Sequence, residues 1–171
     1  MSLFPDRRSA IFSEDRKYRV MLRVVWDDTL PCVGFVALNP SKADEFKDDN
    51  TSRKLIGFAK RLGFGSMVLF NIFALGATDP RELYVAADPI GRHEDIGQLL
   101  RRENPRVVIA CWGAHGKLHG RGEIVSAQIQ KYFSGARLRC FGYNIDLSPK
   151  HPLYLANDSA LMPFPYSEVR R

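Results

Sequence analysis

The stretch Cys32-Val33-Gly34-Phe35-Val36-Ala37-Leu38-Asn39-Pro40-Ser41 constrains the fold more than any other part of this chain. Its apolar residues run on without strict alternation, the pattern of a strand buried on both faces. Pro40 has no amide hydrogen for a sheet ladder, so the strand ends at or before it. A polar stretch, 41–50, follows, and a helical pattern begins at Thr51. A buried strand, a sharp loop and a helix form the unit in which open α/β sheets bind ligands, outside the carboxyl ends of their strands. Asn39 stands at such an end.

The theme recurs. Apolar runs at about 67–71, 106–111 and 137–141 join the strand at 33–38. Between them lie helical faces: Leu55, Ile56, Phe58, Ala59 and Leu62 on a helix of 51–62; Ile96, Leu99 and Leu100 on about 92–103; Ile124, Val125, Ile129 and Tyr132 or Phe133 on about 121–133. Asn50 or Thr51 suits the start of the first helix and Gly63 its end. Asp79-Pro80 is a further helix-start signal. Strands alternating with helices predict an α/β fold, a three-layer α/β/α sandwich around a mainly parallel four-stranded sheet. The β-prone residues 18–26 and the turn cluster 27–31 predict an antiparallel N-terminal strand or hairpin paired with 33–38. Residues 1–16 and 156–171 read as irregular, and the 171 residues fit one domain.

Composition narrows the classes. No apolar run approaches the ~20 residues of a membrane span, and residues 1–19 have no apolar core of a signal peptide. The three cysteines, Cys32, Cys111 and Cys140, are odd in number and lie in apolar stretches, as small buried residues of a cytoplasmic protein do. No Cys-x-x-Cys spacing is present, which argues against zinc fingers and iron–sulfur clusters; no cofactor is expected. Of the net charge of +6, residues 101–139 hold a full share: eight Lys/Arg against Glu103 and Glu123. That segment is either a phosphate-attracting surface or a solvated basic face.

Asn39, Asn71 and His151 are polar residues from three different strand ends or the loops beyond them. An Asn before Pro is often a turn former, but Asn71 inside an apolar run needs partners for two donors and an acceptor. His115 and His119 are spaced like two metal ligands on a helix turn, yet Gly113, Gly116 and Gly120 oppose a helix and no third ligand is near, so no resident metal is expected. Asp44, Asp48 and Asp49 have two readings, a magnesium site or negative charge favoured at a helix N-terminus.

Taken in order, Asn39-Pro40-Ser41, Val68-Leu69-Phe70-Asn71-Ile72-Phe73, Pro105 to Ala110 with Trp112-Gly113-Ala114, and His151-Pro152 resemble the motifs of the uracil-DNA glycosylase superfamily over roughly 33–155. The whole chain is also similar to a bacterial and phage family that carries only a domain-of-unknown-function label, whose pattern includes Leu-Asn-Pro-Ser, Asn-x-Phe-Ala, Trp-Gly-x-His-Gly and His-Pro-Leu-Tyr-Leu. The superfamily resemblance implies a glycosylase-like fold and roles. Asn39 would position an attacking water, Asn71 would read a pyrimidine edge, and His151 would donate to the departing base. Pro40, Ser41, Phe46, Trp112 and Gly113 complete the expected substrate-binding set. Leu153 and Tyr154 would wedge into a duplex, with His115, Lys117 and Arg121 as further DNA contacts. Three features depart from the superfamily pattern: Leu153-Tyr154 after His-Pro, Pro40-Ser41 where a small Gly is common, and the absence of the four-cysteine cluster of some branches.

The expected activity is nucleobase or nucleotide handling, in the form of a hydrolase that cleaves an N-glycosidic bond in DNA or a nucleotide. The alternatives are a non-catalytic nucleic-acid or nucleotide binding module and a magnesium-dependent nucleotide enzyme. DNA or a nucleotide is the expected partner, with no membrane.

Overall fold

The structure, a computed structural model, describes residues 6–41, 49–91 and 94–165. Phe46, Asp44 and Asp48 lie outside the described residues. In chain order the elements are β1 (Arg7–Phe12), β2 (Arg19–Val25), β3 (Cys32–Ala37), α1 (Asn50–Arg61), β4 (Ser66–Asn71), α2 (Glu82–Val85), α3 (Ile96–Glu103), β5 (Val107–Ala110), a 3₁₀ segment (Ala114–Gly120), α4 (Arg121–Tyr132), β6 (Leu138–Cys140), a 3₁₀ turn (Pro152–Tyr154) and β7 (Met162–Pro163). The strands form one sheet in the order β1-β2-β4-β3-β5-β6-β7. Among the described residues, no helix is long and apolar enough to cross a membrane.

The run from Val33 to Ala37 is continuous because both faces of β3 are covered. Successive side chains of a strand point to opposite faces. Val33, Phe35 and Ala37, with Met67 and Leu69 of β4, pack against Leu55, Phe58 and Ala59 of α1. Val36, with Val68 and Phe70, packs against Leu100 of α3 and Val125 and Ile129 of α4 on the other side. Each fully buried side chain of this size stabilises by about 1.5–3 kcal/mol. Helices α3 and α4 meet at Gly97, where a Cβ would lie 2.1 Å from the Gln128 carbonyl oxygen. Helix α1 starts where Asp49, one residue before the expected caps, accepts the Ser52 amide at 2.6 Å.

Several expectations are corrected. The sheet has seven strands among the described residues and is mixed rather than mainly parallel. Ladders β4–β3, β3–β5 and β5–β6 are parallel, while β1–β2, β2–β4 and β6–β7 are antiparallel. Strand β2 runs against β3 but does not pair with it, because β4 lies between them. Gly65 explains the crossing. Its carbonyl accepts the amides of Trp26 and Asp27, and its own amide donates to the Pro31 carbonyl, so the 27–31 connection passes over the start of β4. A Cβ on Gly65 would sit 1.9 Å from the Asp27 oxygen. Residues 7–12, expected to be irregular, form edge strand β1; its alternation of exposed and half-buried residues is that of a strand with one face in solvent. Residues 162–163 add a short strand at the other edge. Ile124, expected in the core, is 47% exposed; Val125, Ile129 and Phe133 take the inward face at helical spacing, which turns Ile124 away.

Candidate functional site

Because β4, β3, β5 and β6 are mutually parallel, their carboxyl ends open on one edge. The chain beyond them stays stitched together there. Ile72 and Phe73 donate amides to the Ala37 and Leu38 carbonyls, each at 2.9 Å, and Cys111 donates to Val36 at 2.8 Å. Ala77 donates to Pro40 at 2.9 Å and Gly113 to Pro149 at 2.9 Å. Backbone bonds thus set the places of Asn39, Asn71 and Gly113, each beside the next strand.

The half-buried Asn39 spends both donors of its amide on backbone carbonyls, Pro40 at 2.9 Å and Ala77 at 2.8 Å. That fixes the flip of the group and leaves its Oδ1 as a directed acceptor. Asn71, buried at the last position of β4, is held the other way round. Arg19 Nη2 donates to Asn71 Oδ1 at 3.4 Å, and the Nδ2 donors have no partner among the described residues. His151 is likewise set. The Leu153 amide donates to its Nδ1 at 3.4 Å, which assigns the remaining proton of a neutral ring to Nε2. Burial holds this imidazole well below its ordinary 6.5, at about 4, with Asp49 pulling the other way and His115 adding to the depression. At neutral pH His151 is therefore an uncharged donor. Gly113, at φ 75°, admits it: a Cβ there would lie 3.2 Å from the His151 Cβ.

Asp49 links these groups electrostatically. It caps α1, accepts the Ser41 hydroxyl, and its charge acts on both Arg19 and His151. Arg19 itself is 5% exposed. It begins β2, which runs antiparallel to β4, so it reaches the carboxyl end of that strand. Sequence reasoning missed it, since an arginine in a β-prone run reads as an outward residue; its position beside the buried Asn71 is visible only once β2 and β4 are known to pair. Asp49 was read only as helix-terminal charge or a metal ligand.

The family model described as Protein of unknown function (DUF1643) matches residues 19–153. The chain belongs to this family. The match runs from Arg19, at the start of β2, to Leu153, just past His151, so it contains every side chain of the strand-end cluster. No curated protein matches the chain.

The remaining expected residues of this DUF1643 member fall into distinct places. Pro40 is buried and Ser41 half-buried, the first stitching loops and the second bonding Asp49. Trp112, expected to bind substrate, is a core residue: it is 3% exposed, meets Phe164 edge-on at 5.4 Å between ring centroids, and lies over Gly116 so closely that a Cβ there would be 2.2 Å from the indole. The second glycine of the Trp-Gly-x-His-Gly stretch, Gly116, is thus a packing requirement. Arg121, expected to touch DNA, is buried and donates through Nε to the Ile72 carbonyl at 2.8 Å; a guanidinium committed to a carbonyl inside the fold is not a surface contact. His115, Lys117 and His119 are exposed on the 3₁₀ segment, where His115 Nδ1 and the Tyr84 hydroxyl lie 3.1 Å apart. Leu153 and Tyr154 are exposed directly after His151. Among the described residues, no group of three or more His, Cys, Asp or Glu side chains is placed to hold a metal ion.

The basic segment 101–139 does not gather at this edge. Arg106 and Arg137 line an open groove with Cys32 and Asn104 at the amino ends of β3 and β5. Arg137 donates to the Pro105 and Arg106 carbonyls and Arg139 to those of Gly135 and Leu138. Arg101 and Lys131 lie over the Tyr132 ring.

Proposed function

We propose that this protein handles nucleobases, as a glycosylase-like hydrolase that cleaves an N-glycosidic bond in DNA or a nucleotide. The observation that carries the reading is the fixed polarity of three side chains at one sheet edge. Asn39 offers an acceptor, Asn71 offers donors, and His151 offers an uncharged Nε2–H. These are the complements of a water proton, a base oxygen and a departing base.

In this reaction the water oxygen forms a bond to the sugar C1′ as the bond from C1′ to the base nitrogen breaks. The bonding pair leaves with the base, and the proton released by water ends on the base or in solvent. Asn39 Oδ1 holds one water hydrogen, so the oxygen lone pair faces C1′. Asn71 donates to a base oxygen. A site built around such a bond rejects bases that leave its buried groups unpaired. His151 Nε2–H donates to the oxygen on which charge develops, and such a donor is worth on the order of 3 kcal/mol. Because the ring titrates at about 4, it performs this as a neutral group at pH 7. Leu153 and Tyr154 supply exposed apolar surface beside the site, suited to fill the space of an extruded base. A uracil-DNA glycosylase-like form of the three-layer fold belongs to the same proposal; the α1 layer on one sheet face and the α3–α4 layer on the other support it.

The test is a uracil-containing oligonucleotide followed by alkaline cleavage at abasic sites. The expected result is cleavage that depends on Asn39 and His151. Absence of product across a panel of bases and nucleosides overturns the reading.

A second reading, a non-catalytic nucleic-acid binding module, is favoured by a different observation. Two open grooves that share Cys32, about 450 and 650 Å³, are lined by Arg7, Arg8, Arg23, Arg106 and Arg137. It predicts binding that weakens steeply with salt and no turnover.

A further inference from the structure

Two arginines are buried in this molecule among the described residues, and they differ in one respect. Arg121 gives its Nε–H to the Ile72 carbonyl. Arg19 Nε–H has no partner among the described residues, and no other buried side-chain nitrogen or oxygen among them is left in that condition. Burial without a partner is costly for any donor and more so on a charged group. A buried donor that the protein leaves without a partner is available to the acceptor of a ligand. Burial also lowers the guanidinium's pKa while Asp49 raises it, as expected of a cation kept next to a carboxylate.

The orphaned donor is close to the base-reading amide. Nε is two bonds from Nη2, and Nη2 bonds Asn71 Oδ1. Arg19 therefore does two things at once. It takes the amide oxygen of Asn71, which leaves the NH₂ group as the free end of that side chain, and it holds a second N–H donor beside this bond. A ligand meeting both must bring acceptor atoms. The charge nearby selects among acceptors. Asp49 acts on Arg19 and on His151, so the guanidinium charge is offset and a neutral carbonyl oxygen suffices as the acceptor.

We propose that Arg19 is the specificity-determining residue of this site, fixing the Asn71 amide and adding a second donor, so that the base accepted is one with a ring carbonyl rather than an exocyclic amino group at this edge. The inference rests on the nucleobase reading above. A cytosine-like edge would set an amino donor against the Asn71 and Arg19 donors, whereas a uracil-like edge sets an oxygen there.

The experiment uses the full chain, free uracil and free cytosine, with NMR observation of the arginine Nε–H and asparagine side-chain amides. Wild type is expected to bind uracil about tenfold or more tighter than cytosine, as sites built around hydrogen-bonding groups discriminate, and the Arg19 Nε–H resonance should move with uracil. Arg19→Met, which keeps an unbranched apolar stem and removes the donors, should let the Asn71 amide turn and bring the two affinities to within about threefold, below the discrimination of a donor-built site. Arg19→Lys should restore part of the difference. If uracil binds wild type but the Nε–H resonance stays in place and Arg19→Met keeps the preference, the role of Arg19 is wrong and the nucleobase reading stands. If none of a panel of free bases binds wild type, both fall. Should Arg19→Met not fold, the wild-type resonance alone decides.

Discussion

At the carboxyl ends of β3, β4 and β5 the candidate groups are two amides and an imidazole, Asn39 and His151 held by backbone atoms and Asn71 by the Arg19 side chain. At the amino ends of the same strands the groups are arginines around open grooves. Arg7 pairs with Asp28 at 2.6 Å and Arg23 with Glu103 at 2.5 Å, while Arg137 bonds carbonyls. The carboxyl edge has little net charge but fully specified hydrogen-bond directions. The amino edge has charge whose directions are mostly spent on neighbours. A count of Lys and Arg along a chain thus finds charge, whereas the side chains given one orientation and left with one free donor or acceptor lie at the opposite edge.

The sharpest way to break this comparison is to alter each edge in turn. Asn39→Ala and His151→Ala should each lower turnover of a uracil-containing oligonucleotide by about 10²–10³, the cost of one preorganised transition-state contact. Equal losses from Arg106→Gln, in a single-turnover assay, would move the chemistry to the amino edge and sink the contrast.

Next in size is a pH effect confined to the carboxyl edge. The folded imidazole of His151 titrates at about 4 and the unfolded one near 6.5, so the unfolded chain takes up the proton first as pH falls. Stability contributed by the neutral ring is present above 6.5, declines from there to about 4 and levels off below. The expected loss is on the order of 2 kcal/mol, reduced from the full shift because the ring is partly exposed. Urea melts between pH 7 and 4 should show it, and in His151→Gln the slope in that window should shrink.

Gly113→Ala should cost about 1–2 kcal/mol in the same melts, since it forces an alanine to positive φ and presses a Cβ to 3.2 Å from His151. Its activity should fall more than its stability, because the displaced group is the donor. The smallest effect belongs to the amino edge. Arg106→Gln should stay within about 0.5 kcal/mol of wild-type stability and, if nucleic acid tracks that groove, reduce the salt slope of binding by about one.

Much of the layered plan was legible in the residues. The strand expected at 33–38 is Cys32–Ala37, and the helix expected at 51–62 is Asn50–Arg61, because continuous apolar runs and one-sided stripes both report burial directly. The edges of the sheet were not legible. Strand β1 is held by pairing rather than by burial, so its arginines read as loop. The order of β2, β4 and β3 was also hidden, since it depends on Gly65 accepting a crossing chain that a Cβ would block. In the sequence Asn39 ends an apolar run, Asn71 lies inside one and His151 closes a polar loop. Trp112 and Arg121 misled because an aromatic or a cation beside a loop can turn inward, and only the packing of Phe164 or the reach of the Ile72 carbonyl tells which way it turns.

By itself the sequence determined which segments must be buried, where strands give way to helices, and which polar residues stand at those junctions, because hydrophobic pattern and local backbone preference act over a few residues. The tertiary structure alone decided strand order, the flip of each amide, the tautomer of His151 and, among the described residues, the lack of a partner for Arg19 Nε. Those depend on partners such as Ala77 for Asn39 and Asn71 for Arg19, far apart along the chain and brought within hydrogen-bond reach only when the sheet closes.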